Sequence, residues 1–159
     1  MQFTTRFPTS ERLAFSAGTA IIREGESGML MYEIVDGIVD VLTQGHHVAA
    51  LGTGAIVGEL ACFDGAPRSA TVVARTDCIL AALDRQQYAA LQACDPQLSM
   101  HMLHMMIQRM RSMTRMPHPV ASVPDVIESP VRPRPVRLRW RPARTGRGLD
   151  MYWETEEPA

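Results

Sequence analysis

Between Phe15 and Leu83 the chain is interrupted at short intervals by Gly18, Gly25, Gly28, Gly37, Gly45, Gly52, Gly54, Gly58 and Gly65. Short apolar or alternating runs lie between them: Thr19–Arg23, Met29–Val35, Ile38–Thr43, His47–Leu51, Ala70–Arg75 and Cys78–Leu83. Runs of strand length with turn signals at this spacing predict an antiparallel sandwich or barrel-like roll. Asp36-Gly37 joins two of the runs and reads as a hairpin signal. Gln44-Gly45 reads as a second turn, leading into the strand at His47. Upstream, Ser10 follows Pro8 and is placed to cap a short helix over Glu11–Phe15, covering an edge of the roll.

After Leu83 the period changes. Asp84 is positioned to cap a helix over Arg85–Ala93, which holds no glycine or proline. Asp95-Pro96 restarts the pattern, with Pro96 suited to a first helical turn. Gln97–Met116 then runs unbroken. Met100, Leu103, Ile107 and Met110 form an a/d-like seam, and Met102, Met106 and Met113 form a second row beside it. The stripe is wide enough to pack on the roll and on another helix. Packing within one monomer and pairing in a parallel homodimer both fit the seam.

Pro117 and Pro119 stop this helix. Residues 117–159 hold 8 of the 11 prolines and 7 of the 16 arginines. Val131–Arg147 is Arg/Pro-rich without an acid, and Asp150–Glu157 is acidic. The expected division is a folded domain over residues 1–116 and a disordered tail over 117–159. The tail is either a solvated linker or an electrostatic contact for nucleic acid.

At 159 residues, 46% hydrophobic, the chain is long enough to bury a core. A formal net charge of −1 gives no strong bias toward nucleic acid or membranes. All 16 basic residues are arginine. Cys62, Cys78 and Cys94 are odd in number and form no CxxC, so they read as core-filling thiols in a reducing cytoplasm. No apolar run approaches the ~20 residues of a membrane span. The N-terminus has no apolar signal-peptide core. The expected location is cytoplasmic.

The chemistry concentrates in Gly58–Val72, GELACFDGAPRSATV. Glycine allows close backbone approach, and the unpaired N–H groups of a helix start bind anions. Arg68 lies ten residues past Gly58, behind Pro67. Its planar fork matches phosphate oxygens. Glu59 would repel a phosphate, but a carboxylate there can accept a bond from a sugar hydroxyl. N–H donors, Arg and Glu together describe a ribose phosphate. The competing reading is a structural Glu59–Arg68 ion pair, a weak source of stability when buried.

This stretch resembles the phosphate-binding cassette of the cyclic-nucleotide-binding domain family: Gly-Glu, a short loop, then Pro-Arg-Ser-Ala-Thr-Val. Gly18, Gly25, Gly37 and Gly54 also fall where that family turns its strands. The resemblance covers about Phe15–Arg115. It implies a mainly β fold with C-terminal helices: an eight-stranded β-roll (double-stranded β-helix or jelly roll), a hinge helix and a long C-terminal helix. By the same resemblance, Glu59 takes the ribose 2′-hydroxyl and Arg68 the cyclic phosphate. Gly58, Leu60 and Ala61 add backbone N–H donors, and the Ser69 hydroxyl adds a phosphate contact. Val41, Val48 and Leu51 line one side of the base. Met113 and Thr114 align with base-contacting helix positions of bacterial activators, or are ordinary end-of-helix residues. Arg109 reaches Glu59, or belongs to a solvated helix face. Ser69 is the small residue of cAMP-preferring relatives, where cGMP-preferring ones often carry threonine. The implied ligand is therefore cAMP ahead of cGMP.

The resemblance implies a non-catalytic sensor that signals by repositioning its C-terminal helix, with a homodimer through residues 97–116 and an effector protein as partners. No catalytic residues, catalytic cofactor or metal site are expected: no His is placed to activate Ser69. His46 and His47 read as exposed turn residues. His101 and His104, spaced i, i+3, have no third ligand at suitable spacing and read as a solvated face. Catabolite-activator-type regulators follow the long helix with a helix-turn-helix, whereas here Pro117 follows. DNA binding by this chain is not expected. The alternatives are a truncated regulator of that type and a roll that serves as an interaction module without a ligand.

Overall fold

The computed structural model describes Phe7 and residues 10–113, 134–142 and 149–155. The strands of the roll are β1 (Glu11–Phe15), β2 (Ala20–Ile22), β3 (Met31–Asp36), β4 (Val39–Thr43), β5 (His46–Leu51), β6 (Ile56–Val57), β7 (Thr71–Ala74) and β8 (Cys78–Leu83). Helix α1 (Glu59–Asp64) interrupts the strands, and α2 (Arg85–Cys94) and α3 (Gln97–Met113) follow them. Two further strands, β9 (Arg134–Pro142) and β10 (Leu149–Thr155), complete the described chain. One sheet has the order β10-β9-β1-β8-β3-β6 and the other β2-β7-β4-β5. All strand pairs are antiparallel. The expected roll with helices behind it is the observed architecture.

The period of the strands explains the layering. In β8, Cys78, Leu80 and Ala82 join Leu13, Phe15, Ile34, Val39, Val72 and Ala74 in a core between the two sheets. The alternate residues Ala81 and Leu83 face a second core with Cys62 of α1, Tyr88 of α2, and Leu98 and Met102 of α3. A strand buried on both faces reads as an unbroken apolar run, as CILAAL does. The helices thus cover the back of the first sheet. Phe63 and Tyr88 meet edge to face at 5.2 Å, coupling α1 to α2.

The helix boundaries follow from local chemistry. The Asp84 carboxylate accepts the Gln87 N–H at 2.7 Å, and the Gln87 side chain accepts the Asp84 N–H at 2.9 Å. This reciprocal capping box starts α2. Asp95 accepts the Gln97 N–H at 3.0 Å and starts α3. No helix among the described residues is long and apolar enough to cross a membrane.

Four expectations are corrected. Glu11–Phe15 is a strand, paired with β8 from Glu11↔Ala82 to Phe15↔Cys78. Its Leu13 and Phe15 alternate into the core, and Ser10 donates instead to the Phe7 carbonyl at 2.7 Å. Asp36-Gly37 is a turn but closes no hairpin, because β3 pairs with β6 and β8 while β4 pairs with β5 and β7. Gly37, at φ 95°, lies so close to the Asp77 carbonyl and Cys78 that it has no room for a Cβ, and the chain crosses there between sheets. The Gln44-Gly45 hairpin forms as expected, with both residues at positive φ and Thr43 opposite His46. Cys94 is exposed, whereas Cys62 and Cys78 are buried.

The fourth correction concerns the tail. Residues 134–142 and 149–155 are strands, and β9 extends the first sheet through Leu13↔Pro135 and Ala14↔Arg134. The proline and arginine content of this region hides a period of two: Val136, Leu138 and Trp140 alternate with Arg137, Arg139 and Arg141. The register sets Arg137 opposite Glu154 and Arg141 opposite Asp150, while Leu138 stands opposite Trp153. Such opposite-charge and apolar cross-strand pairs stabilise a hairpin. The rest of the expected tail lies outside the described residues.

Candidate functional site

The stretch from Gly58 to Val72 folds as a left-handed glycine, a short helix and a loop into β7. Gly58 has φ 77°, and no side chain caps the N-terminus of α1 behind it. Arg68 returns to this point. Its Nη1 donates to the Gly58 carbonyl at 2.8 Å, and its Nη2 donates to the Leu30 carbonyl at 2.7 Å. The Arg68 backbone is anchored as well: its N–H donates to Glu26 O at 2.9 Å and its carbonyl accepts Gly25 N–H at 2.8 Å. The loop between β2 and β3 and the residue that precedes α1 therefore hold one guanidinium between them.

Arg68 is 8% exposed and Glu59 4%. They do not pair with each other. Glu59 Oε1 instead accepts Arg109 Nη1 of α3 at 2.5 Å, and Arg109 Nη2 donates to the Ile56 carbonyl. The structural Glu59–Arg68 ion pair is thereby replaced by a Glu59–Arg109 pair. Arg109 is no solvated residue; it ties α3 to the start of α1. Arg68 is left with carbonyl acceptors alone. A guanidinium has five N–H donors, and only two bonds from Arg68 side-chain nitrogens are present among the described residues. Buried cations are ordinarily paired with an anion. The charge reaches its neighbours: burial holds the Tyr32 phenol pKa above its ordinary value, with Arg68 opposing only part of that rise.

The other expected site residues fall around this centre. Leu60 is exposed and Ala61 buried on α1, and Ser69 is exposed directly after Arg68. Val41 and Leu51 pack against the inter-sheet core from its margin, and Val48 is half-buried on β5 between them and the turn. Met113 ends α3, and Thr114 lies outside the described residues. His104 is exposed beside Gln108, its Nε2 3.4 Å from the amide nitrogen. Burial raises the Cys62 thiol, with Arg68 acting against it, as suits a core-filling residue.

One expectation for the histidines is corrected. His46 is exposed, but His47 is half-buried and its Nε2 lies 2.7 Å from Asp40 Oδ1. Arg75 binds the same carboxylate through Nε at 3.0 Å and Nη2 at 2.5 Å. Burial alone raises the Asp40 pKa, but these hydrogen bonds and charges outweigh it and hold the carboxyl below its ordinary value. Sequence reasoning missed this cluster because its members sit on β4, on β5 and after β7. The part of Leu30 in holding Arg68 was equally invisible, since it rests on a backbone carbonyl.

Residues 12–93 match the family model of the cyclic nucleotide-binding domain. The chain belongs to the cyclic nucleotide-binding domain family. The match runs from β1 to α2, including the whole segment that holds Glu59 and Arg68, and stops before α3. This cyclic nucleotide-binding domain is 43% identical over 75 residues to a cAMP-dependent protein kinase regulatory subunit of Eremothecium gossypii, covering 47% of this chain and 16% of that protein. It is 42% identical over 83 residues to a cyclic nucleotide-gated potassium channel of Rhizobium etli, covering 52% of this chain and 23% of that protein. The chain thus spans less than a quarter of the length of either relative. Among solved structures, the catabolite activator protein of Thermus thermophilus superposes with a TM-score of 0.61 at 28% identity, over 69% of this chain and 54% of that one.

Proposed function

We propose that this cyclic nucleotide-binding domain is a non-catalytic sensor of cAMP, with cGMP the weaker ligand. The observation that carries the reading is Arg68: a buried cation held by two carbonyls and paired with no carboxylate among the described residues. A cyclic phosphate supplies the missing charge, and a fork of N–H donors suits its oxygens. The backbone N–H groups at Gly58, Leu60 and Ala61, where no side chain caps the start of α1, and the exposed Ser69 hydroxyl complete the phosphate contacts. Glu59 accepts the ribose 2′-hydroxyl with the oxygen that Arg109 leaves open. The base lies against Val48 and Leu51 beside Val41, and Met113 and Thr114 are the helix positions proposed to contact it. The preference for cAMP follows from Ser69 in place of threonine, and a 43% identical relative carries cAMP dependence in its name.

Occupancy reaches α3 through Glu59, because Arg109 binds the carboxylate that the ribose also needs. A ligand that favours one α3 position shifts the population toward it. Leu98 and Met102 hold α3 to the roll, whereas Met100, Leu103, Ile107 and Met110 are 66, 50, 38 and 69% exposed. That outward seam has the spacing of a helix pairing with a second copy, which supports a homodimer acting on an effector protein in the cytoplasm. Glu154 and Asp150 stand opposite Arg137 and Arg141 in register, which speaks against nucleic acid as the partner.

Titration calorimetry of the full chain with cAMP and cGMP tests the ligand. Tighter binding of cAMP is expected, and no heat with either nucleotide overturns the reading. Sedimentation of the wild type and of Leu103→Glu tests the seam: a dimer that the substitution converts to monomer is expected.

A further inference from the structure

The loop between β2 and β3 holds Gly28, whose backbone is not in the left-handed region that favours glycine. Its lack of a side chain therefore has no local backbone reason. The reason is spatial. A Cβ at Gly28 would lie 2.6 Å from Arg68 Nη2, 2.8 Å from Nε and 3.0 Å from Cζ. Nη2 and Nε are the nearer two and Cζ lies behind them, so the Nε–Nη2 edge of the guanidinium abuts the glycine. At the remaining nitrogen, a Cβ at Gly58 would lie 2.7 Å from Nη1. The guanidinium is confined between two glycines, with the Leu30 and Gly58 carbonyls fixing its rotation.

We propose that Gly28 is a positioning residue for anion recognition: its bare Cα sets where the Arg68 guanidinium lies and how it meets the cyclic phosphate. The inference rests on the cyclic-nucleotide reading of the site. Alanine at position 28 meets the far end of a flexible side chain, so the fold can accommodate it by moving Arg68. The nearest atom, Nη2, is the one bound to Leu30, and shifting it breaks that bond and turns the fork. Two parallel N–H···O bonds depend on orientation, so a displaced fork loses phosphate affinity while the charge stays buried. The backbone at position 28 suits alanine, and such a replacement tends to stabilise a fold by restricting the unfolded chain. Affinity and stability therefore move in opposite directions or independently. A merely structural glycine would make them fall together.

The test uses the full chain and four proteins: wild type, Gly28→Ala, Arg68→Ala and the double variant. Each is measured for cAMP affinity by calorimetry and for Tm, and the Arg68 Nε–H resonance is followed by NMR without ligand. Gly28→Ala is expected to lose about tenfold or more in affinity at an unchanged or raised Tm, the scale of about one charge-assisted hydrogen bond. It is expected to shift the Arg68 Nε–H resonance. In the Arg68→Ala background it is expected to change affinity by less than about twofold, because the coupled partner is gone. Wild-type affinity in Gly28→Ala, or an equal loss with and without Arg68, overturns the proposal. If the wild type binds no cyclic nucleotide, the functional reading fails, and the resonance alone decides the placement: an unmoved Nε–H in Gly28→Ala overturns it.

Discussion

Two charge clusters with buried members, Asp40 in one and Glu59 and Arg68 in the other, lie in the same roll, yet one is closed and the other open. On the second sheet, the Asp40 carboxylate receives Arg75 in two bonds and His47 in a third contact, so every charge there has its counterpart. At the turn into α1, Arg68 receives only carbonyls, while the nearby carboxylate of Glu59 is taken by Arg109. Composition cannot separate these cases, since each joins an acid to an arginine. What separates them is whether the charge is cancelled inside the chain. A cancelled cluster holds strands together. An uncancelled buried cation calls for a counter-charge, which in the proposed function the ligand's phosphate supplies.

The largest effect should come from the open cluster. Arg68→Ala is expected to weaken cAMP binding by roughly 2–5 kcal/mol, the loss typical when a buried charge partner is truncated. At about 1.4 kcal/mol per tenfold, that is some 30-fold to a few thousand-fold in Kd by calorimetry. Unchanged affinity would place the ligand elsewhere and collapse the distinction between the clusters. Glu59→Gln comes next. It replaces a charged acceptor with a neutral one for both the ribose and Arg109, and a loss of about 1.5–3 kcal/mol in affinity is expected. Its signature is selectivity: a 2′-deoxy analogue should bind wild type and variant nearly alike, and an equal discrimination in both would show that Glu59 does not meet the sugar.

The closed cluster should behave in the opposite way. Asp40→Asn is expected to lower Tm by a few degrees and leave cAMP affinity within about twofold. The pH dependence has a definite sign. The folded Asp40 carboxyl titrates below its ordinary 3.8, so its stabilisation is complete above the unfolded value of about 3.9 and disappears as pH falls through the folded value. Thermal melts across that acid range should therefore show a steeper decline in wild type than in Asp40→Asn. Parallel curves would mean that Arg75 and His47 contribute nothing through this carboxylate. The smallest effect belongs to the hairpin. A chain ending at residue 116 should bind cAMP within about twofold of the full chain, because β9 meets the roll at β1 through Leu13 and Ala14, away from Arg68. A collapse of affinity would make the hairpin part of the site.

The legible parts share a cause. Gly58–Val72 holds the residues proposed to bind the ligand within one short stretch, so its Gly-Glu and Pro-Arg-Ser motifs are visible without a fold. The α2 capping box is likewise local, with Asp84 and Gln87 three residues apart. The illegible parts depend on distant partners. Glu11–Phe15 becomes a strand because β8 is there to receive it, and β9 forms against β1 from the other end of the chain. Arg/Pro composition obscured the alternation in β9, although the two-residue period was present at Val136, Leu138 and Trp140. Asp36-Gly37 has the chemistry of a hairpin turn, but which sheet receives the next strand is settled by packing.

From residue order alone came the roll, the helix pair behind it, and an arginine and a glutamate placed for a ribose phosphate, because turn chemistry, period and motif spacing are local properties. Tertiary structure alone decided how the charges are shared. It sent Arg109 across from α3 to Glu59, closed Asp40 with Arg75 and His47, and laid Arg68 on Gly28 between two carbonyls. Burial makes those pairings consequential: once water is excluded, a charge must find a partner in the fold or wait for one from outside it.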